Sequence, residues 1–143
     1  MLHVIYSSNV NLENLIFNNA NGDAIDIDMS KNILIENSEF NNSNNDGIDL
    51  MESDVIIKNV KISDSKDKAI SIGEYSKAKI ISSELEGNNI AVAVKDGSEV
   101  NIDKINFLNN LVQVSAYKKN LQYGAGGKVF ITNSNFISNK NNF

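Results

Sequence analysis

Five aspartates carry most of the chemistry that this chain's spacing could support. Asp23 and Asp46 stand 23 residues apart, and so do Asp26 and Asp49, with Asp28 close by. Carboxylates paired in this way can hold a cation such as Ca²⁺ through their oxygens. They can also flank a glycosidic bond, at about 5–5.5 Å for retention or about 6.5–9.5 Å for inversion. A third use is to accept hydrogen bonds from sugar hydroxyls without any reaction. The plainest alternative is structural, with Asp23 and Asp46 capping a turn and Asp26 and Asp49 solvated. Lys68 follows Asp46 by 22 residues and so aligns with it, which suits an ion pair. A desolvated lysine can also serve as the base of a β-elimination. Asp26, Asp49 and Lys68 are therefore the candidate catalytic residues. Asp46, Glu74, Lys95, Tyr117 and Tyr123 are candidate substrate contacts. Asp23, Asp26, Asp46 and Asp49 are candidate calcium ligands, and no other cofactor is expected.

Composition removes several alternatives. Among 143 residues there is no Cys, Pro, Trp or Arg, and His3 is the single histidine. Disulfides, thiolate zinc sites, multi-histidine centres and guanidinium clamps are thereby excluded. A net charge of −5 argues against a nucleic-acid partner. No apolar run approaches the roughly 20 residues that span a bilayer. The 25 asparagines could signal a disordered polar tract, but 41% hydrophobic residues at regular spacing argue for a packed core.

What must position the carboxylates is a repeat. Val10-Asn11-Leu12-Glu13-Asn14 recurs as Ile33–Asn37, Val55–Asn59, Ala78–Ser82, Val100–Lys104 and Val129–Asn133. A large apolar residue follows seven positions after each start: Phe17, Phe40, Ile62, Leu85, Phe107 and Phe136. The starts are 23, 22, 23, 22 and 29 residues apart, and the last interval holds an inserted loop with Tyr117, Lys118, Lys119 and Tyr123. A third short strand follows in each unit, as in Ala24-Ile25-Asp26-Ile27 and Gly47-Ile48-Asp49-Leu50. Alternation with period two and Asn/Ser/Asp/Gly corners predict three short strands per unit. Twenty-two residues are too few for a propeller blade. The pattern predicts an all-β, single-stranded, right-handed parallel β-helix over residues 1–143, with about six coils of 22–23 residues stacked about 4.8 Å apart.

In that frame Ile25, Ile48, Ile70 and Val92 make one inward ladder, and Ile27, Leu50, Ile72 and Val94 another. Asp26, Asp49, Ser71 and Ala93 face outward. Like charges about 5 Å apart repel unless a cation, a lysine, hydrogen bonds or a raised pKa offsets them. The Asn column at 14, 37, 59 and 133 reads as a corner ladder, because Asn tolerates left-handed backbone. Ser82 and Lys104 interrupt it.

With this repeat the chain resembles the pectate-lyase-like superfamily of parallel β-helices along its whole length. Asn45-Asp46-Gly47-Ile48-Asp49 is similar to the Asn-Thr-Asp-Gly-Ile-Asp stretch of polygalacturonases, inverting hydrolases that use aspartates. That resemblance would carry over Asp49 alone. Where the family has Gly-Asp-Asp this chain has Ser65-Lys66-Asp67-Lys68, and the Gly-His-Gly and Arg-Ile-Lys motifs have no counterpart. Stretches such as Asp67–Glu74 and Val92–Asp96 resemble bacterial surface or secreted β-helix segments. The resemblance implies a carbohydrate-associated module outside the cell or on its surface, with a polysaccharide partner. Were it an enzyme, it would be a polysaccharide lyase or glycoside hydrolase. The alternative is a non-catalytic spacer or adhesin-like stalk.

Neither end has the helical cap that blunts an exposed stack. Further β-helix coils in a longer parent chain, or end-to-end association, are the expectations. The Asn139–Phe143 tail is expected to protect its end only in part.

Overall fold

The computed structural model describes residues 1–139, and the tail from 140 onward lies outside the described residues. The strands are β1 (Leu2–Ile5), β2 (Ser8–Glu13), β3 (Ile16–Asn18), β4 (Ile25–Asp28), β5 (Lys31–Asn41), β6 (Ile48–Met51), β7 (Asp54–Ser63), β8 (Lys68–Gly73), β9 (Lys77–Glu86), β10 (Ile90–Lys95), β11 (Glu99–Leu108), β12 (Val112–Tyr117), β13 (Lys128–Thr132) and β14 (Asn135–Ile137). They stack in parallel into two sheets. Sheet A has the order β1-β4-β6-β8-β10-β12, and sheet B runs β13-β11-β9-β7-β5-β2, with β3 beside β5 and β14 beside β11. Each sheet thus has six layers, and the chain completes about five turns of a parallel β-solenoid. No helix among the described residues is long and apolar enough to cross a membrane.

The inward ladders are those the alternation predicts. Ile25, Ile48, Ile70 and Val92 pair in register and are fully buried, as are Ile27, Ile72 and Val94, with Leu50 nearly so. The Phe17 column closes the core, with stacked rings at 5.4 Å for Phe17–Phe40 and 4.8 Å for Phe107–Phe136. In the middle coils the two strands expected on either side of the Asn column are one long strand each, bent at that column (β5, β7, β9 and β11). The bend is a single left-handed residue, so pairing with the neighbouring coils runs through it.

Every coil turns at three such corners. The first, after sheet A, has positive φ at Tyr6, Met29, Glu52, Glu74, Tyr75, Asp96 and Gly97, with Asn9 and Asn32 shortly after it. The second has it at Asn14, Asn37, Asn59, Ser82, Lys104 and Asn133, and the third at Asn19, Asn42, Asp64, Gly87 and Asn109. The predicted left-handed column is therefore present, and Ser82 and Lys104 keep its backbone. Asn59 Nδ2 donates to Asn37 Oδ1 at 2.6 Å, whereas Asn133 Nδ2 donates to Asp103 Oδ1 at 2.8 Å.

The residue after each left-handed position does a second job. At the first corner the N–H groups of Ser7, Ser30, Ser53 and Ser76 donate to the hydroxyls of Ser30, Ser53, Ser76 and Ser98 one coil on, at 3.0–3.1 Å. Leu15 and Val60 donate likewise to Ser38 and Ser83 at the second corner. At the third, Ser65 and Asn88 donate to the amides of Asn88 and Asn110. A sharp turn leaves one buried N–H outside the ladders, and a short polar side chain from the next coil satisfies it.

The inserted loop leaves the stack after Tyr117 and returns at Gly126 and Gly127. Gly127 N–H donates to Tyr117 O at 3.2 Å, and Gly97 N–H to Gly126 O at 3.2 Å. The buried Asp96 carboxylate accepts the N–H groups of Lys119 and Asn120 at 2.8 and 2.9 Å. Gly127 lies so close to β10 that a Cβ there would stand 2.2 Å from Val94 O.

Candidate functional site

Sheet A presents its outer face as two columns. His3, Asp26, Asp49, Ser71, Ala93 and Ser115 pair in register along one. Ile5, Asp28, Met51 and Gly73 pair along the other, which Lys95 and Tyr117 continue. The outward placement of the candidate aspartates is thus a direct result of the two-residue period.

The carboxylates divide by what they bond. Asp23 Oδ1 accepts the Asp46 N–H at 2.9 Å and the Asn45 amide at 2.7 Å. Asp46 Oδ1 accepts the Lys68 N–H at 3.0 Å. Both therefore cap the start of the next coil's strand, as the structural alternative predicts. Asp26 and Asp49 have no such backbone partner among the described residues. They are not simply solvated, since both are partly buried.

Burial and crowding raise the acids of this face. Asp46 is pushed up to about 7, by burial first; the Lys68 ammonium opposes this, and the Asp49 and Asp67 carboxylates add to it. Asp26 is pushed up to about 6 by burial and by the Asp28 and Asp49 charges. Burial also raises Asp49 and Glu74, in each case against the nearby Lys95. At neutral pH the face therefore mixes protonated carboxyls, carboxylates and ammonium groups, which suits exchange of hydrogen bonds with hydroxyls.

Lys68 Nζ lies 3.6 Å from Asp46 Oδ1 and bonds the Asp67 carboxylate closely, so the ion pair expected from the alignment is present. Burial alone would lower Lys68, but Asp67 and Asp46 outweigh it and raise the group. To act as a base it would first have to leave both carboxylates.

The floor between these charges is small. Ser71, Gly73 and Ala93 are buried although they face outward. Lys95, only 7% exposed, is laid across Gly73, where a Cβ would come within 2.9 Å of its Cε. Lys95 makes no ion pair within 4.0 Å among the described residues. The Ser71 hydroxyl is buried without a well-aligned hydrogen bond, although it lies near enough to Asp49 to hold that carboxyl down. Asp49 is thus within electrostatic reach of Lys68, Lys95 and Glu74, and Lys68 of Tyr117. Tyr123 stands apart and packs edge-on against Tyr75, with ring centroids 4.9 Å apart.

The donors that converge as metal ligands are His3, Asp26 and Asp28, whose ligand atoms lie within 4.8 Å of one another. His3 Nε2 is 3.0 Å from Asp28 Oδ2 and 3.6 Å from Asp26 Oδ2. Among the described residues Asp23, Asp26, Asp46 and Asp49 do not form such a group, because Asp23 and Asp46 turn an oxygen to backbone. A set with an imidazole also suits transition metals better than calcium, which prefers all-oxygen shells. His3 has no place in the sequence expectation, although its column with Asp26 was legible there.

A model of the right-handed β-helix region matches residues 1–143. The chain belongs to that family. The match gives the handedness of the solenoid and covers the same residues as the repeat. No curated protein and no solved structure matches significantly.

Proposed function

We propose that this β-helix is a polysaccharide-binding module that uses the outer face of sheet A, in an extracellular or cell-surface setting. The observation that carries the reading is the Ser71–Lys95–Asp49 group. A buried hydroxyl with only the poorly aligned Asp49 carboxylate beside it, an ammonium without an ion pair and a carboxylate without a backbone bond stand side by side on a shallow floor. Such groups are costly to bury unless a ligand with both donors and acceptors completes them. Sugar hydroxyls are ligands of that kind.

Affinity electrophoresis in gels containing polygalacturonate, alginate or xylan tests this. Retardation by at least one polymer is expected, reduced in Asp49→Asn and Lys95→Met. Equal mobility in all three gels and in plain gel would overturn the reading. Measuring reducing ends and unsaturated products in the same mixtures separates binding from cleavage.

A second reading, a spacer without ligand, draws support from Asp23 and Asp46. Both hold the next coil's backbone, and the serine ladder at the other end of the sheet A strands serves only the stack. Retardation of the parent chain that both variants lose would decide against it.

A further inference from the structure

All three corners demand the same left-handed backbone, yet they are filled differently. The second and third corners hold mainly Asn, with Ser82, Lys104, Asp64 and Gly87, and no aromatic residue; Asn, Asp and Gly adopt this conformation at least cost. The first holds Tyr6, Met29, Glu52 and the consecutive pair Glu74 and Tyr75, at φ of 49, 44, 47, 49 and 57°, followed by Asp96 and Gly97. A bulky side chain in this region is unfavourable, and an outlier of this sort points to a use for the side chain. The core is not that use, because Tyr6 is 76% and Tyr75 56% exposed.

These side chains line one edge of the solenoid. A cleft of about 370 Å³ is lined by Met29, Lys31, Glu52 and Tyr75. The Tyr75 ring is held over Gly97, where a Cβ would stand 2.5 Å from its Cε1, and the Tyr123 ring meets it edge-on. Tyr123 comes from the inserted loop that Asp96 ties down, so the Tyr75 ring is held between Gly97 and Tyr123 and its position is set in advance.

We propose that this corner is a stacking platform for the pyranose rings of an extended polysaccharide running parallel to the solenoid axis. A pyranose has an apolar face of C–H groups and a rim of hydroxyls. Tyr6, Met29 and Tyr75 match the face, while Glu52 and Lys31 match the rim. Each coil advances about 4.8 Å, close to the length of one pyranose unit, so Tyr6 and Tyr75 lie roughly 14 Å apart and contact rings about three units apart. The inference rests on the polysaccharide-binding reading but not on the acidic face, which it supplements along the adjoining edge.

The chain has four tyrosines and no tryptophan, so its intrinsic fluorescence reports on these rings. The test titrates the parent chain with hexasaccharides of β-1,4-glucose, β-1,4-xylose and α-1,4-galacturonate. Binding of at least one with a change in tyrosine emission is expected. Tyr6→Asn and Tyr75→Asn should each weaken it at least 10-fold without lowering Tm, since Asn suits the backbone there. Tyr75→Phe should bind as the parent does. Parent-like affinity in the Tyr6→Asn/Tyr75→Asn double variant overturns the platform and leaves the sheet A reading standing. Binding of none of the three sugars by the parent chain overturns both. Should Tyr75→Asn unfold, Tyr6→Asn alone decides, because that side chain stands clear of the loop.

Discussion

One oxygen of Asp46 serves Lys68 twice. It accepts the Lys68 backbone N–H at 3.0 Å and lies 3.6 Å from the same residue's ammonium. The carboxyl is therefore both a turn cap and a charge partner, in a place where its own burial resists ionisation. Lys68 does not fully offset that burial, and the neighbouring Asp49 and Asp67 work against it.

Stability should therefore fall as pH rises. An acid raised in the folded chain binds its proton more tightly there than in the unfolded chain. Its contribution is complete below the ordinary value near 3.8 and is lost as pH climbs through about 7 for Asp46 and about 6 for Asp26. His3, raised by its bond to Asp28, acts in the same direction. For Asp46 the change is at most about 4 kcal/mol. Thermal unfolding followed by circular dichroism should give a higher Tm at pH 5 than at pH 8. Asp46→Asn, which keeps the oxygen for the Lys68 N–H but does not titrate, should flatten that slope. An equally steep slope in the variant would assign the effect elsewhere.

The serine ladder should show itself on removal of one rung. Ser53 Oγ accepts the buried Ser30 N–H and donates to Met51 O at 2.8 Å. Ser53→Ala leaves that N–H unpaired and should cost about 1–3 kcal/mol in denaturant unfolding. Ser7 Oγ bonds only Ile5 O among the described residues, so Ser7→Ala should stay within about 0.5 kcal/mol. Equal losses at the two sites would show that the hydroxyls, and not the coil-to-coil N–H bonds, set the cost.

Much of this architecture was legible because a stacked coil turns sequence spacing directly into spatial registry. The 22- and 23-residue intervals place Asp26 beside Asp49 and Ile25 beside Ile48 without any knowledge of side-chain packing. The serines at 7, 30, 53, 76 and 98 keep the same interval. They were equally legible, as a polar column with the spacing of the apolar and acidic ones. Two features were not legible. The bend of β5 into one continuous strand depends on how tightly Asn37 turns, which spacing does not specify. The seat of Lys95 on Gly73 depends on the path of a long side chain over a residue one coil away.

The third corner should accept improvement. Asn88 and Asn110 there each send an amide nitrogen to a carbonyl of the preceding coil, at 3.1 and 2.8 Å, and each accepts an N–H. Ser43 and Ser65 hold the equivalent places with buried hydroxyls that find no partner, being too short to reach. Ser65→Asn should extend the ladder by one coil, satisfying the Ser43 N–H, and gain about 1 kcal/mol. Gly47 faces this site, where a Cβ would stand 3.4 Å from Ser65 Oγ, so the absence of a side chain there favours the larger residue. A Tm below the parent's would show that the corner is closed to an amide.

The inserted loop should depend on Gly127 far more than on Gly124, although both stand in the same segment. A Cβ on Gly127 would lie 2.2 Å from Val94 O and 2.5 Å from Val94 C, which are backbone atoms of the central β10 and cannot move aside. Nothing stands within 4 Å of a Cβ on Gly124. Gly127→Ala should therefore push the loop's return off the stack, break the Gly127–Tyr117 bond and cost more than about 2 kcal/mol. Gly124→Ala should stay within about 0.5 kcal/mol. Limited proteolysis gives a second readout: cleavage near Lys118 and Lys119 should quicken in Gly127→Ala, because the bonds of those turns to Asp96 hold only while the loop lies on the stack. Unchanged cleavage together with unchanged stability would mean that the loop is held by Asp96 alone, with the close approach to Val94 contributing nothing.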